Sequence, residues 1–119
     1  MFEHPLEERC HQFGKRVRGY CRKLNKDLAN IEDIKQLVKS SGSVGANYIE
    51  ANENVGNGDL KYRIKLCRKE SKESMHFLGL TELFGNEILE KERIELINEA
   101  TQLRKIFSSM IKKLDSNDE

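Results

Sequence analysis

Two interleaved heptad series run through the C-terminal third of the chain: Leu89, Leu96, Leu103 and Met110 form one, Ala100, Phe107 and Leu114 the other. A seven-residue apolar repeat is the a/d seam of a long helix packed nearly parallel to its neighbours, and a strand, whose side chains alternate with period two, cannot use it. Such a helix buries its seam only against partners of comparable length. The upstream sequence supplies three. Leu6, Cys10, Phe13, Val17, Tyr20, Leu24 and Leu28 alternate spacings of four and three, which predicts a first helix over 5–28. Asn30 is a suitable N-cap and Asp33 suits the first turn, so a second helix is expected over 31–55, with Ile34, Leu37, Val38, Ser41, Val44, Gly45, Tyr48, Ile49 and Val55 on its core stripe. Gly56-Asn57-Gly58 breaks it, and Asp59 can cap a third over 59–84 that turns Leu60, Ile64, Cys67, Ser71, Met75 and Leu78 to one side. The fourth covers 87–114, and 115–119 reads as a polar tail.

Short connections force antiparallel neighbours, so the expected fold is all-α, an antiparallel up-down-up-down four-helix bundle occupying 1–119 as one domain. One Pro and eight Gly are too few for the turns of an all-β domain. Charged residues make up 34% of the chain, yet the net charge is only +1 and the apolar stripes are continuous, so the chain is expected to fold. No apolar run approaches the length of a membrane span, and Met1-Phe2-Glu3-His4-Pro5 lacks the features of a signal peptide, so the expected location is the cytoplasm with no membrane partner.

Chemistry finds little foothold. Cys10, Cys21 and Cys67 are odd in number and form no Cys-x-x-Cys pair, and so read as small buried hydrophobes. Glu8-x-x-His11 and Glu73-x-x-His76 match the spacing of di-iron carboxylate bundles, but in parallel first and third helices the two motifs would sit roughly 16 Å apart along the axis. Gly42-Ser43-Val44-Gly45 lacks the Gly-Lys-Ser/Thr ending of a phosphate loop. The expectation is therefore no enzyme, no catalytic residue, no metal and no cofactor.

Charge is less even than the total suggests. Residues 1–30 carry seven Lys/Arg against four acids, residues 59–73 six against three, and residues 87–99 two against five Glu. Lys15, Arg18, Arg22, Lys23 and Lys26 have few acids near them in sequence and are the expected nucleic-acid face, although the chain lacks the aromatic clusters typical of single-strand binders. Arg68, Lys69, Glu70 and Glu73 interleave both signs and suit ion pairs with Glu50 or Glu53 across the second and third helices instead. The third helix also carries a second apolar stripe, Tyr62, Leu66, Phe77, Leu80 and Phe84, and the second helix presents Ser43, Ala46, Asn47 and Glu50 on its far side. Two-sided helices suggest an oligomer interface or an interhelix network formed by Ser43, Asn47, Glu50, Leu66, Arg68, Glu70, Glu73, Phe77 and Phe84.

The run Ser40-Ser41-Gly42-Ser43-Val44-Gly45-Ala46-Asn47-Tyr48-Ile49-Glu50-Ala51-Asn52-Glu53, followed by Arg63-Ile64-Lys65-Leu66-Cys67-Arg68-Lys69-Glu70-Ser71-Lys72-Glu73-Ser74, resembles the four-helix-bundle family encoded by intervening sequences in bacterial 23S ribosomal RNA genes, the S23 ribosomal protein-like family. The likeness extends over about Phe13 to Leu114 and departs at Met75-His76-Phe77-Leu78, where many relatives carry an aromatic pair. The resemblance implies a cytoplasmic bacterial bundle that assembles into a ring, a homopentamer, with no known enzymatic activity. A distant relative in fold, the accessory protein of diversity-generating retroelements, binds nucleic acid through a basic surface, so RNA becomes the expected partner. The competing expectation is a structural scaffold with no nucleic-acid role, docking another protein on Leu66, Phe77 and Phe84.

Overall fold

A computed structural model describes residues 2, 4–53 and 57–117. Four helices follow one another: α1 (Pro5–Arg22), α2 (Leu28–Glu53), α3 (Asn57–Leu80) and α4 (Glu87–Asn117). Each packs against its neighbours in chain order and α4 closes back on α1, with no strand among the described residues. The result is an antiparallel up-down-up-down bundle of 50 × 28 × 22 Å. Its register is visible in three contacts between α3, or the residue just beyond it, and α4: Lys61 with Asp115 at 2.7 Å, Thr101 with Met75 at 3.6 Å, and Arg93 with the Thr81 carbonyl at 2.6 Å.

The heptad seam of α4 is the spine of the core. Leu96, Ala100, Leu103 and Phe107 are fully buried against Phe13, Val17 and Tyr20 of α1, Leu37 and Val44 of α2, and Ile64, Cys67 and Leu78 of α3. Small residues set the closeness of α1 to α2. A Cβ on Gly14 would lie 3.6 Å from the Ser41 carbonyl oxygen, and one on Gly45 would lie 3.4 Å from the Cys10 Cβ. Between α2 and α3 the hydroxyls of Ser40 and Ser74 meet at 3.0 Å, and each has a carbonyl of its own helix within reach, so one donates to the other, which donates to its carbonyl, and both are satisfied in the interior.

The boundaries depart from the expected ones where side chains cap the backbone. Helix α1 stops at Arg22, six residues short, because Lys26 Nζ donates to the carbonyls of Cys21, Arg22 and Leu24 that a continuing helix would have used. Leu24 still tucks into the core, whereas Leu28 is 82% exposed and does not belong to the α1 stripe. The second helix starts at Leu28, ahead of Asn30, and its cap is Asp27, whose Oδ1 accepts the Asn30 N–H at 2.8 Å. Asn30 is instead wholly buried. Its Nδ2 donates to the carbonyls of Asn25 and Glu82, and its Oδ1 accepts the Glu82 N–H, tying the first connection to the third.

Ile49, expected on the α2 core stripe, is 47% exposed. Helix α3 ends at Leu80, so Phe84 is not part of its second stripe; it lies in the connection with φ 52°, followed by Gly85 at φ 77°. Asn86 then caps α4, its side chain accepting the Leu89 N–H at 3.0 Å. At the other end α3 already begins at Asn57, ahead of Asp59, and Asp115 and Ser116 continue α4 where a tail was expected. The expected end of the second helix at Val55 and the Gly56 break lie outside the described residues, as do Asp118 and Glu119 of the tail.

Candidate nucleic-acid interface

The basic face expected on α1 is largely taken up by the fold. Lys26 caps α1, and Lys23 forms an ion pair with Glu92 of α4 at 2.6 Å. The Arg18 guanidinium donates to the Gly14 carbonyl at 3.1 Å and lies over Gly42, where an added Cβ would approach it to 3.3 Å. Arg9 forms a forked pair with Glu99 at 2.9 and 2.7 Å and also reaches Gln102. The hydrogen bond from Arg9 to Glu99 raises the Arg9 pKa above its ordinary value. Two of these cations are thus paired with acids of α4, while Arg18 and Lys26 keep their charge on backbone carbonyls. Only Lys15 and Arg22 of the expected set remain exposed with no side-chain hydrogen bond or ion pair among the described residues.

A different pair of helices brings cations together. Lys65, Arg68, Lys69 and Lys72 recur at i, i+3, i+4 and i+7, which places them on one outward face of α3. Antiparallel beside them α4 presents Arg104, Lys105 and Lys112, with Ser108 between. These side chains bound an open groove of about 920 Å³, continued by a second depression of about 540 Å³ toward Asp115. Gln36 of α2, His76 and Phe77 line the larger one as well. Arg104 is half-buried, and its Nε has no hydrogen-bond partner among the described residues.

The acids along the groove are few and partly spent. Asp115 is engaged by Lys61, whose hydrogen bond holds the carboxyl below its ordinary value. Glu73 lies 3.8 Å from Lys69. Glu70 sits 3.9 Å from Lys69, and burial, followed by the proximity of Glu73, pushes its pKa up, so this position carries its negative charge less readily than an open carboxylate. The expected pairing of Arg68 or Lys69 with Glu50 or Glu53 is not formed among the described residues: both glutamates are exposed, and Lys69 meets acids of its own helix. A face built in this way concentrates positive potential along a strip, which is the electrostatic footprint of a polyphosphate binder.

The other expected residues divide. Asn47 does join an interhelix network, its Oδ1 accepting from Arg63 of α3 at 3.3 Å while its Nδ2 donates to the Ser43 carbonyl at 2.9 Å. Ser43 bonds within its own helix. Leu66 and Phe77 are half-buried, Phe77 against the core, while Phe84 is 68% exposed at the far end of the bundle. There it shares an end with Leu28, Leu80 and Ile88, all exposed. The Glu-x-x-His motifs do not join in a metal site: the His11 ring lies tilted against Phe2 at 4.9 Å, His76 lies edge-to-face with Phe77 at 5.1 Å, and no group of three or more metal-ligating side chains occurs among the described residues. The three thiols are free and buried, and desolvation pushes Cys10 and Cys67 up to about 12 and Cys21 to about 11, the opposite of an activated nucleophile.

The sequence shows the basic stretch over 59–73, but the acids interleaved at 70 and 73 suit Arg68 and Lys69 equally well to ion pairs, and the partner stripe on α4, at 104, 105 and 112, carries no local signal linking it to α3; the antiparallel register brings the two together. Fold and site together define an all-α, antiparallel four-helix bundle with a basic groove between α3 and α4. In fold it is similar to a solved protein of unknown function from the S23 ribosomal protein family of Bacteroides thetaiotaomicron, with a TM-score of 0.76 at 24% identity over 89% of this chain and 97% of that one. No family model and no curated protein matches the sequence. No helix among the described residues is long and apolar enough to cross a membrane.

Proposed function

We propose that this chain is a non-catalytic bundle protein that binds nucleic acid, RNA foremost, along the α3–α4 groove, and that it acts in the cytoplasm as a closed assembly of several copies, a pentamer being the expected order. The observation that carries the binding reading is the alignment of Lys65, Arg68, Lys69 and Lys72 with Arg104, Lys105 and Lys112 on one face with few free acids. The solved neighbour's place in the S23 ribosomal protein family is in keeping with an RNA partner. Free thiols throughout the interior suit a reducing compartment.

Binding of this kind is electrostatic, so affinity falls steeply with salt, and each cation removed lowers the salt slope by about 0.7 to 0.9. Replacing the exposed Lys65, Lys69 and Lys72 together by Glu is expected to abolish retention of a labelled RNA at moderate salt, while Lys15→Glu with Arg22→Glu changes it far less. Equal retention by both variants and the parent chain would remove the groove from consideration.

A purely structural role is favoured by a different observation. Leu28, Leu80, Phe84 and Ile88 expose an apolar surface at one end of the bundle, and Phe84 holds a left-handed backbone conformation that an aromatic residue adopts only at a cost. If this end joins copies, Phe84→Ser lowers the native mass measured by light scattering; a mass unchanged by the substitution assigns assembly to another face.

A further inference from the structure

The geometry points to a single strand as the occupant of the α3–α4 groove, with one unstacked base held against His76 at the end of the groove. This rests on the nucleic-acid reading above and adds to it the class of strand. Width excludes the duplex major groove as the docking mode. Two helices lying side by side at the usual 8–10 Å axis separation present a front of roughly 20 Å, against about 12 Å for the groove of B-form DNA. Nothing on this face protrudes as a lone helix able to enter it.

The cations form a strip that a backbone can follow. From Lys65 to Lys72 the rise along α3 is about 10 Å, and in the antiparallel register Arg104 and Ser108 lie alongside Lys72 and Arg68. A strand whose phosphates track this strip delivers its next base to the end lined by Gln36, His76 and Phe77. His76 is exposed, and its ring and that of Phe77 lie 5.1 Å apart in an edge-to-face arrangement at an interplanar angle of 69°, so the imidazole has an aromatic neighbour and remains accessible to a base. The exposed Gln36 amide adds a donor and an acceptor for a base edge. A duplex keeps its base faces stacked and has nothing to offer this end except at a terminus, whereas any single strand has a base free to stack.

The test uses the full chain with three probes: heparin, a labelled twelve-nucleotide single strand carrying one 2-aminopurine, and a twelve-base-pair duplex. The expected result is salt-sensitive retention on heparin, tighter anisotropy-measured binding of the single strand than of the duplex, and quenching of 2-aminopurine on binding. His76→Ala is expected to weaken single-strand binding about tenfold, the scale of one lost stack, and to abolish the quenching. His76→Phe restores both. Heparin retention with equal affinity for single strand and duplex, quenching that survives His76→Ala, or rescue by His76→Lys in place of His76→Phe each overturns the stacked-base inference and leaves the groove as a simple cation strip. Failure to retain heparin and both oligonucleotides overturns the nucleic-acid reading itself, and this inference with it.

Discussion

Asn30 is the side chain on which the capped end of the bundle depends. It is 0% exposed and makes three hydrogen bonds of 2.9 to 3.0 Å, two donated to the carbonyls of Asn25 and Glu82 and one accepted from the Glu82 N–H. Asn30→Ala deletes all three and leaves backbone groups in two connections without partners. At about 1 kcal/mol net for each bond, with water able to reach part of the exposed connections, the loss is about 3 kcal/mol. That is a large share of the roughly 6–18 kcal/mol expected for a chain of this length. With an unfolding entropy near 0.25 kcal/mol/K for such a chain, the loss corresponds to a Tm lowered by about 12 °C.

Asn30→Asp separates the donor from the acceptor role. It keeps the bond from the Glu82 N–H but sets a carboxylate against two carbonyl oxygens, so it costs at least as much as Ala at neutral pH. A carboxylate disfavoured in the folded state has its folded pKa raised above the unfolded value near 3.9; the penalty is present above the folded pKa and is relieved as pH falls through it. Thermal melts followed by circular dichroism from pH 7 down to pH 4 measure both effects. A Tm drop of less than about 3 °C for Asn30→Ala, or an Asn30→Asp variant whose deficit ignores pH, would refute the account.

Two further outcomes follow from packing and burial. Gly45 lies where a Cβ would be 3.4 Å from the Cys10 Cβ, so Gly45→Ala, which gains about 1 kcal/mol of helix propensity, stays near the parent stability, whereas Gly45→Leu must push α1 from α2 and costs about 2 kcal/mol or more, read from urea midpoints. For Cys10 and Cys67, burial raises the folded thiol pKa from 9.0 to about 12, so between these values the unfolded chain releases protons that the folded chain keeps, and stability falls as pH rises, by at most about 1.4 kcal/mol per unit for each thiol. Denaturation curves at pH 8, 9 and 10 should show this decline, and the Cys67→Ala variant should show it less steeply; parallel curves for the two chains would remove desolvated thiols as its cause.

The heptad series of α4 and the stripe of Phe13, Val17 and Tyr20 were enough to specify helices, their buried faces and an antiparallel bundle, because the period of a hydrophobic pattern is a local property that the folded chain keeps. Boundaries were less legible. Leu24 and Leu28 continue the α1 stripe in sequence, yet the chain turns at Lys23, since a lysine reaching back to three carbonyls and an aspartate capping the next helix together outweigh two more turns of helix. Asn30 reads equally well as a cap or as a buried bridge, and only the approach of the Glu82 backbone, fifty-two residues away, decides between them.

The site divides in the same way. Sequence by itself determined which residues are charged and that Lys65, Arg68, Lys69 and Lys72 share a face, because side-chain chemistry and a 3.6-residue period need no partner to be known. It could not say which charges are spent. Helix packing set Glu92 and Glu99 against Lys23 and Arg9, which offsets two cations of the stretch that looked most basic, and set Arg104, Lys105 and Lys112 beside α3, which builds the groove. Ion pairs and grooves are properties of distances between helices, and those distances come from how Phe13 and Val17 of α1 and Ile64 and Leu78 of α3 close on Leu96, Leu103 and Phe107 of α4 in a shared core.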